Sequence, residues 1–233
     1  MATFVLVHGA WMGGEIWKPI ARPLRAAGHE VYAPTLTGVG ARSHLLRAGI
    51  DLDTHIADVV NLIKFYELRD IVLYGHSYGG MVVTGAADAV PDQIASLVYL
   101  DAFVPENGQS LGDLVAAGRR PAPTSDGIAV MPLPPAAFGL SPQKTAVYEA
   151  HVTPQPVATM TQKLALTGGI ARIKRRVYIY ANDPQPTGFT KFYERFRNDP
   201  AWEMHTLPCT HLVQLDMPDA LIRILLGAAP RQS

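Results

Sequence analysis

A serine between two glycines is the first group in this sequence that could perform chemistry. Ser77 lies in Gly75-His76-Ser77-Tyr78-Gly79, directly after the apolar run Ile71 to Tyr74 and before an Ala- and Val-rich segment. Gly-x-Ser-x-Gly between a strand and a helix is typical of a sharp turn that exposes a nucleophilic hydroxyl. The small neighbours allow the strained turn to form. The pattern therefore predicts that Ser77 is a nucleophile.

A serine hydroxyl is a weak nucleophile near neutral pH, so it needs a base within hydrogen-bond reach. Among eight histidines, His211 follows the last predicted strand and precedes the last predicted helix. In an open α/β sheet, the loops at the carboxyl ends of the strands form the site. His211 is therefore the candidate base, whereas His8 and His76 flank glycines and are expected to shape the loops around the site.

The base in turn needs an acid that orients it, and two aspartates qualify. Asp183 follows the predicted strand Val177–Tyr180, and the order Ser, acid, His agrees with this position. Asp101 follows the predicted strand Ser96–Leu100 and provides the alternative. We predict Asp183 as the acid and keep Asp101 open.

Attack on a carbonyl creates an oxyanion, which backbone N–H groups stabilise. The residue after the nucleophile, Tyr78, is expected to supply one N–H. The loop after the first strand, His8-Gly9-Ala10, is expected to supply the other from Ala10, because Gly9 lets the backbone approach closely.

The elements that must position these groups alternate along the chain. Continuous apolar runs such as Phe4–Val7 predict parallel strands buried on both faces, and segments with helical periodicity separate them. Asp53 is expected to cap the helix after the second strand. The predicted fold belongs to the α/β class, with a mostly parallel sheet of about six strands flanked by helices. The 233 residues are expected to form a single domain.

A proline-rich segment interrupts the alternation at about residues 103–169. Because it also contains many apolar residues, it is not typical of a disordered linker. We predict a helical cap inserted after the fourth strand, within the same domain. The predicted lining of an apolar substrate pocket is Trp11, Phe103, Met131, Leu133 and Phe138.

Composition excludes several other functions. Twenty basic and twenty acidic residues give a net charge of zero, so nothing favours nucleic acid as a partner. No apolar run reaches the roughly 18 residues of a membrane span, and no signal peptide is evident at the first strand. No metal-ligand spacing occurs, and the lone Cys209 suits a reducing compartment. We therefore expect a cytoplasmic protein without cofactor or metal; monomer and homodimer both stay open.

Several segments resemble the compact α/β-hydrolases that include plant methyl esterases, hydroxynitrile lyases and small bacterial esterases. Phe4-Val5-Leu6-Val7-His8-Gly9-Ala10 resembles their first strand and oxyanion loop, and Gly75 to Met81 resembles their nucleophile turn. Thr35 to Gly40 and Tyr99 to Pro105 are most similar to bacterial members, some of which hydrolyse pyrethroids or carbamates. The resemblance implies the α/β-hydrolase fold for this chain, with Ser77, Asp183 and His211 as the triad.

The resemblance also separates two activities within the family. Its hydroxynitrile lyases place a threonine in the oxyanion loop and a lysine after the histidine, where this chain has Gly9 and Leu212. The expected function is therefore a serine carboxylesterase for small hydrophobic, including aromatic, esters or carbamates. The alternatives are a ligand-binding relative with weak turnover and a cofactor-free lyase.

Overall fold

The computed structural model describes residues 1–115, 121–183 and 187–230. In these ranges, the strands are β1 (Thr3–Val7), β2 (Glu30–Tyr32), β3 (Ile71–His76), β4 (Ile94–Leu100), β5 (Ala129–Val130), β6 (Gln155–Pro156), β7 (Arg176–Ala181) and β8 (Trp202–Leu207). The α-helices are α1 (Lys18–Ala26), α2 (Leu52–Phe65), α3 (Gly79–Ala89), α4 (Leu111–Leu114), α5 (Pro142–Glu149), α6 (Ala158–Thr161), α7 (Thr190–Phe196), α8 (Val213–Asp216) and α9 (Pro218–Ala228). Short 3₁₀ segments are Gly14–Trp17, Gly40–Leu45, Pro91–Gln93, Pro135–Phe138 and Gly169–Arg172.

Six of these strands form one parallel sheet in the order β2-β1-β3-β4-β7-β8. The predicted α/β fold with about six strands is confirmed. Because all six strands run in the same direction, the residues that follow β1, β3, β4, β7 and β8 meet at one edge of the sheet. The loops that carry the predicted chemistry all begin there.

Each face of the sheet is covered by its own apolar cluster. Val5 and Val7 of β1 belong to the cluster on one face with α2 and α3, whereas Phe4 and Leu6 belong to the cluster with α1 and α9. Successive side chains of a strand point to opposite faces, so a strand covered on both sides has to be apolar throughout. This arrangement explains the continuous apolar run of β1.

One helix start differs from its prediction. Asp51, not Asp53, caps α2: its carboxylate accepts the N–H of Thr54 at 2.9 Å, and the Thr54 side chain accepts the N–H of Asp51. A reciprocal capping pair satisfies two helix donors at once, which explains why the helix starts at Leu52.

The segment between β4 and β7 contains the predicted cap residues 103–169. Besides α4, α5 and α6, it contains the antiparallel pair of β5 and β6, in which Val130 lies opposite Gln155. The pair was not foreseen, since two-residue strands carry almost no periodic signal. It brings Gln155 to the edge of the sheet where β1 ends.

Close packing at the start of α3 gives a test of this architecture. A Cβ at Gly80 would lie 2.1 Å from the carbonyl oxygen of Phe103, whereas a Cβ at Gly227 in α9 would meet no atom within 4 Å. Gly80→Ala is expected to lower the free energy of unfolding by about 1–3 kcal/mol. The control Gly227→Ala is expected to raise it by up to about 1 kcal/mol. Urea titrations followed by circular dichroism measure both, and equal effects would contradict the packing described here.

Candidate active site

The turn after β3 presents Ser77 in a strained conformation. Its φ is 54°, in the left-handed region that residues other than glycine rarely adopt. The N–H of Ser77 donates to Leu100 at 3.2 Å, and its carbonyl accepts the N–H groups of Gly80 at 3.0 Å and Phe103 at 3.2 Å. Gly79 is required beside it, since a Cβ there would lie 2.7 Å from the carbonyl oxygen of His8. The surrounding backbone therefore holds the half-buried serine in its strained turn.

The predicted base lies at the same edge of the sheet. His211 is in the loop between β8 and α8, and its Nδ1 is 2.7 Å from Oδ2 of Asp101. Its ring centroid is 4.5 Å from that of His76, the residue directly before Ser77. These contacts bring the imidazole to the nucleophile turn.

The acid that the structure places on His211 is Asp101, the alternative in the sequence analysis, and not Asp183. Asp101 directly follows β4, the neighbour of the nucleophile strand β3, and its side chain is 1% exposed. Asp183 follows β7, one strand farther away; it is exposed, and its N–H donates to the carbonyl of Cys209 at 3.1 Å. An imidazole nitrogen carries a single hydrogen, and that of Nδ1 is directed to Asp101. The prediction of Asp183 as the orienting acid is therefore not supported by the geometry.

Burial dominates the electrostatics of Asp101. Loss of hydration raises the pKa of this carboxyl well above its usual range, and the N–H of Ala181, 3.3 Å away, offsets only part of that rise. A buried carboxylate is stabilised most when its partner is positively charged. Asp101 therefore favours the form of His211 that has taken up a second proton.

His76 supports the loop of the base. Because a carbonyl only accepts, Nε2 of His76 donates to the carbonyl oxygen of His211 over 2.9 Å. Burial lowers the pKa of His76 well below its usual value, so the ring stays neutral. The interaction fixes the backbone of His211 relative to the nucleophile turn.

The loop after β1 lies against the serine. A Cβ at Gly9 would be 3.2 Å from Cβ of Ser77. Nδ1 of His8 donates to the carbonyl of Gly9 at 2.7 Å, which orients the peptide that carries the Ala10 N–H. In the described part of the chain, no acceptor is bonded to the N–H of Ala10 or of Tyr78. Both groups predicted for the oxyanion hole are thus free to donate.

A buried histidine that the sequence analysis did not select lies behind Tyr78. His55 is fully buried; its Nε2 donates to the carbonyl of Thr37 over 2.8 Å, and its Nδ1 is 2.9 Å from the Tyr78 hydroxyl. Its place in the sequence carried a signal, because it lies three residues after Leu52 and four before Val59 on the buried face of α2.

A cavity of about 210 Å³ opens beside the imidazole. Phe138 of the cap and Phe189 stack on the ring of His211, with centroids 5.3 Å and 4.9 Å away and planes within 13° and 5° of parallel. The described residues that line the cavity are Asp101, Ala136, Ala137, Phe138, Gly139, Asp183, Thr187, Gly188, Phe189 and His211. Aromatic and small residues together give a narrow, mostly apolar slot.

The pocket prediction is only partly supported. Phe138 lines the cavity, and Phe103 packs behind it on Phe189 with ring centroids 4.9 Å apart. Trp11 is buried in the loop after β1, and Leu133 packs against the core. Met131 is not among the residues that line this cavity. It directly follows β5 and is 46% exposed. Phe189 was missed since its sequence neighbours show no pocket signal.

The cap is also attached to the loop of the base. Lys144 of α5 forms an ion pair with Asp216 at 2.5 Å, and Oδ2 of Asp216 accepts the N–H of Thr210 at 2.7 Å. Thr210 directly precedes His211, so this contact links α5 to the loop that carries the predicted base.

The described ranges contain neither a metal-binding cluster of side chains nor a membrane-spanning helix. No group of three or more His, Cys, Asp or Glu side chains there is arranged to hold a metal ion. In the same ranges, no helix has the length and apolar character needed to cross a membrane.

The buried histidines predict how stability depends on pH. Burial lowers the pKa of His8 from 6.5 to about 4, and it also lowers the pKa values of His55 and His76. As pH falls below 6.5, the unfolded chain takes up protons that the folded chain refuses, so the free energy of unfolding is expected to fall. Each such histidine contributes a slope of up to about 1.4 kcal/mol per pH unit.

Urea titrations between pH 4 and 8 measure this slope. His8→Gln is expected to reduce it, whereas the control His151→Gln on the surface is expected to leave it unchanged. A slope that is the same in His8→Gln and wild type would show that His8 does not stay neutral in the folded protein.

The chain is similar to known proteins over most of its length. The sequence profile of the Alpha/beta hydrolase family matches residues 4–224. The "Carbendazim hydrolyzing esterase" of Nocardioides sp. (strain SG-4G) is 43% identical over 234 residues, which cover 95% of this chain and 97% of that protein. The "Alpha-hydroxynitrile lyase" of Arabidopsis thaliana is 36% identical over 104 residues, only 44% of this chain and 40% of the lyase.

A solved structure is also similar over the whole length. An extracellular alpha/beta-hydrolase from a Paenibacillus species, described as sharing structural and functional homology with tobacco Salicylic Acid Binding Protein 2, superimposes with a TM-score of 0.86 at 25% identity. The match covers 99% of this chain and all of that one. Profile, sequence and structure agree: the chain belongs to the alpha/beta hydrolase family.

Proposed function

We propose that the protein is a serine hydrolase that cleaves carboxylic esters or carbamates through an acyl-enzyme intermediate. The observation that carries the proposal is the 2.7 Å contact between Nδ1 of His211 and Asp101 beside the nucleophile turn. With the hydrogen on Nδ1, the lone pair of Nε2 is available to take the proton of the Ser77 hydroxyl. Asp101 then stabilises the imidazolium that forms.

The remaining steps use the backbone of the two loops. Ser77 attacks the carbonyl carbon, and the N–H groups of Ala10 and Tyr78 donate to the developing oxyanion. His211 returns the proton to the leaving alcohol. Water then attacks the acyl-enzyme by the same route in reverse, which releases the acid and restores the serine.

The cavity supports small, flat and apolar substrates. Phe138 and Phe189 give the cavity aromatic walls beside the base, and its other lining residues Ala136, Ala137 and Gly188 are small. Aromatic pairs add about 0.5–1.5 kcal/mol beyond the burial of area. The name of the Nocardioides relative, a carbendazim-hydrolyzing esterase, also favours aromatic substrates. The proposed partner is therefore a small aromatic ester or carbamate.

Lyase chemistry has less support. The side chain that follows the base is Leu212, which is fully buried and apolar. It cannot stabilise a departing cyanide anion as a cation would.

The free thiol of Cys209 supports a location in the cytoplasm, as the sequence analysis proposed. The thiol is buried and forms no disulfide, which suits a reducing compartment.

The nucleophile is tested by Ser77→Ala. The variant is expected to lower kcat/KM by about 10⁴-fold or more, because the acyl-enzyme cannot form. Initial rates on p-nitrophenyl butyrate and on a phenyl N-methylcarbamate measure the loss. Mass spectrometry after treatment with a phosphonate ester is expected to find the adduct on Ser77 in wild type only. Near-normal turnover by Ser77→Ala would end the proposal.

The acid is tested by a matched pair of substitutions. Asp101→Asn is expected to lower kcat by about 10⁴-fold, because the imidazole loses its negative partner and its fixed tautomer. Asp183→Asn is expected to change kcat by less than about threefold, since the exposed carboxylate is not the partner of Nδ1. The reverse order of effects would restore Asp183 as the acid.

Stability gives an independent readout of the same pair. The folded-state pKa of Asp101 is raised, so its ionised form costs stability at pH values above its ordinary range, and this cost disappears as pH falls below that range. Asp101→Asn removes the cost and is expected to unfold at an equal or higher temperature than wild type at pH 7. A large drop in the Tm of Asp101→Asn at pH 7 would contradict the predicted direction of the change in stability.

A further inference from the structure

A chain of buried polar contacts supports the loop that carries Ala10, one of the two proposed oxyanion donors. It starts at Gln155 of β6, whose Oε1 accepts the N–H of Trp11 at 3.0 Å. Nε2 of Gln155 donates to the Thr159 hydroxyl at 3.0 Å, and this hydroxyl donates to the carbonyl of Pro156 at 2.6 Å. Gln155 and Thr159 are both fully buried.

The second proposed donor, Tyr78, has a separate support. Its hydroxyl donates to Nδ1 of His55 at 2.9 Å, because Nε2 of His55 carries the ring hydrogen and donates to the carbonyl of Thr37. The loop of Ala10 is therefore held by the segment that contains Gln155, whereas Tyr78 is held by His55 of α2.

The loop of Ala10 needs such support because it is strained. Trp11 has a φ of 66°, which costs a bulky residue about 1–3 kcal/mol and persists only where neighbouring groups enforce it. Gln155 bonds its N–H, and the N–H of Thr153 donates to its carbonyl at 2.8 Å. With His8 bonded to the carbonyl of Gly9, the peptides on both sides of Ala10 are fixed.

We propose that Gln155 is a positioning residue for catalysis: held in place by Thr159, it accepts the N–H of Trp11, and so fixes the loop of Ala10 and the direction of the Ala10 N–H. The inference rests on the proposed function, since it assigns the support of that same site. Donors that are already aimed at the oxyanion lower the barrier without reorganisation during the reaction. Gln155 touches neither substrate nor serine in this role; it acts through the backbone of Trp11.

Three substitutions each remove one of the contacts behind the two proposed donors, with little change in shape. Gln155→Met removes the acceptor and the donor, Thr159→Val removes the hydroxyl, and Tyr78→Phe removes the phenol oxygen. Each is expected to lower kcat by about tenfold to a hundredfold, as a misplacement of about 1 Å does. KM is expected to change by less than about threefold, because the cavity beside His211 is untouched.

A boronic acid gives a readout that a purely structural role would not move. Phenylethaneboronic acid forms a tetrahedral adduct with the serine, and its negative charge falls in the oxyanion hole. Its Kd is expected to weaken by the same factor as kcat/KM in each of the three variants. Thr159→Ser keeps the hydroxyl and is expected to restore both values to within about twofold of wild type.

The matched control is Tyr99→Phe. The Tyr99 hydroxyl is also buried, and it is bonded to the Thr84 side chain at 2.8 Å on a different part of α3. Its removal is expected to lower Tm by an amount similar to that of Tyr78→Phe but to leave kcat and boronate affinity unchanged.

The outcomes separate the inference from the function on which it rests. Normal kcat and boronate affinity in folded Gln155→Met and Thr159→Val would overturn the inference and leave the proposed function intact. If Gln155→Met does not fold, the comparison of Thr159→Val with Thr159→Ser decides in the same way. Absence of Ser77-dependent hydrolysis in wild type would overturn both.

Discussion

The hydrogen bond between Asp101 and His211 is the interaction on which the site depends. It joins side chains 110 residues apart, and one of them is a carboxyl with almost no exposure to water. A buried carboxylate without a partner would be very costly, so the loop after β8 has to present an imidazole to it. The same pair fixes the tautomer that leaves Nε2 for the serine. The same contact therefore positions the loop after β8 and, in the proposed mechanism, orients the base.

Strain is concentrated around this pair. Ser77, Asp101 and Trp11 all adopt positive φ values, and each directly follows a strand of the sheet or lies in the loop after one. Such conformations persist where the surroundings impose them. Here the rigid parallel sheet supplies one side, and hydrogen bonds from neighbouring loops supply the other. The strained backbone lowers the stability of the protein, but it orients the side chains and N–H groups of the site before a substrate binds.

The cap contributes to the site from two directions. Phe138 forms a wall of the cavity, and Lys144 holds the loop of the base through Asp216. Gln155 reaches the opposite side and holds the oxyanion loop. A segment inserted into the sheet order therefore supports both the base and the proposed oxyanion donors. Its role is broader than covering a pocket.

The sequence by itself determined the parts that local patterns encode. Apolar runs separated by helical segments identified the parallel sheet, since a strand buried on both faces cannot carry polar residues. Gly75 and Gly79 predicted the turn at Ser77, and the position of His211 after the last strand predicted a base there. Only the tertiary structure showed that Asp101 lies within hydrogen-bond distance of the imidazole, because Asp101 and Asp183 both follow strands and the sequence patterns do not separate them.

The same limit applies to Phe189, His55 and Gln155. Their roles depend on partners brought close by packing, as in the contact between Gln155 and Trp11 across 144 residues. Periodicity reports the face on which a side chain lies, but a hydrogen bond depends on distance and angle to one particular atom. Those quantities arise only when the elements pack together, and for that reason the sequence determined the chemistry of the site while the tertiary structure decided its partners.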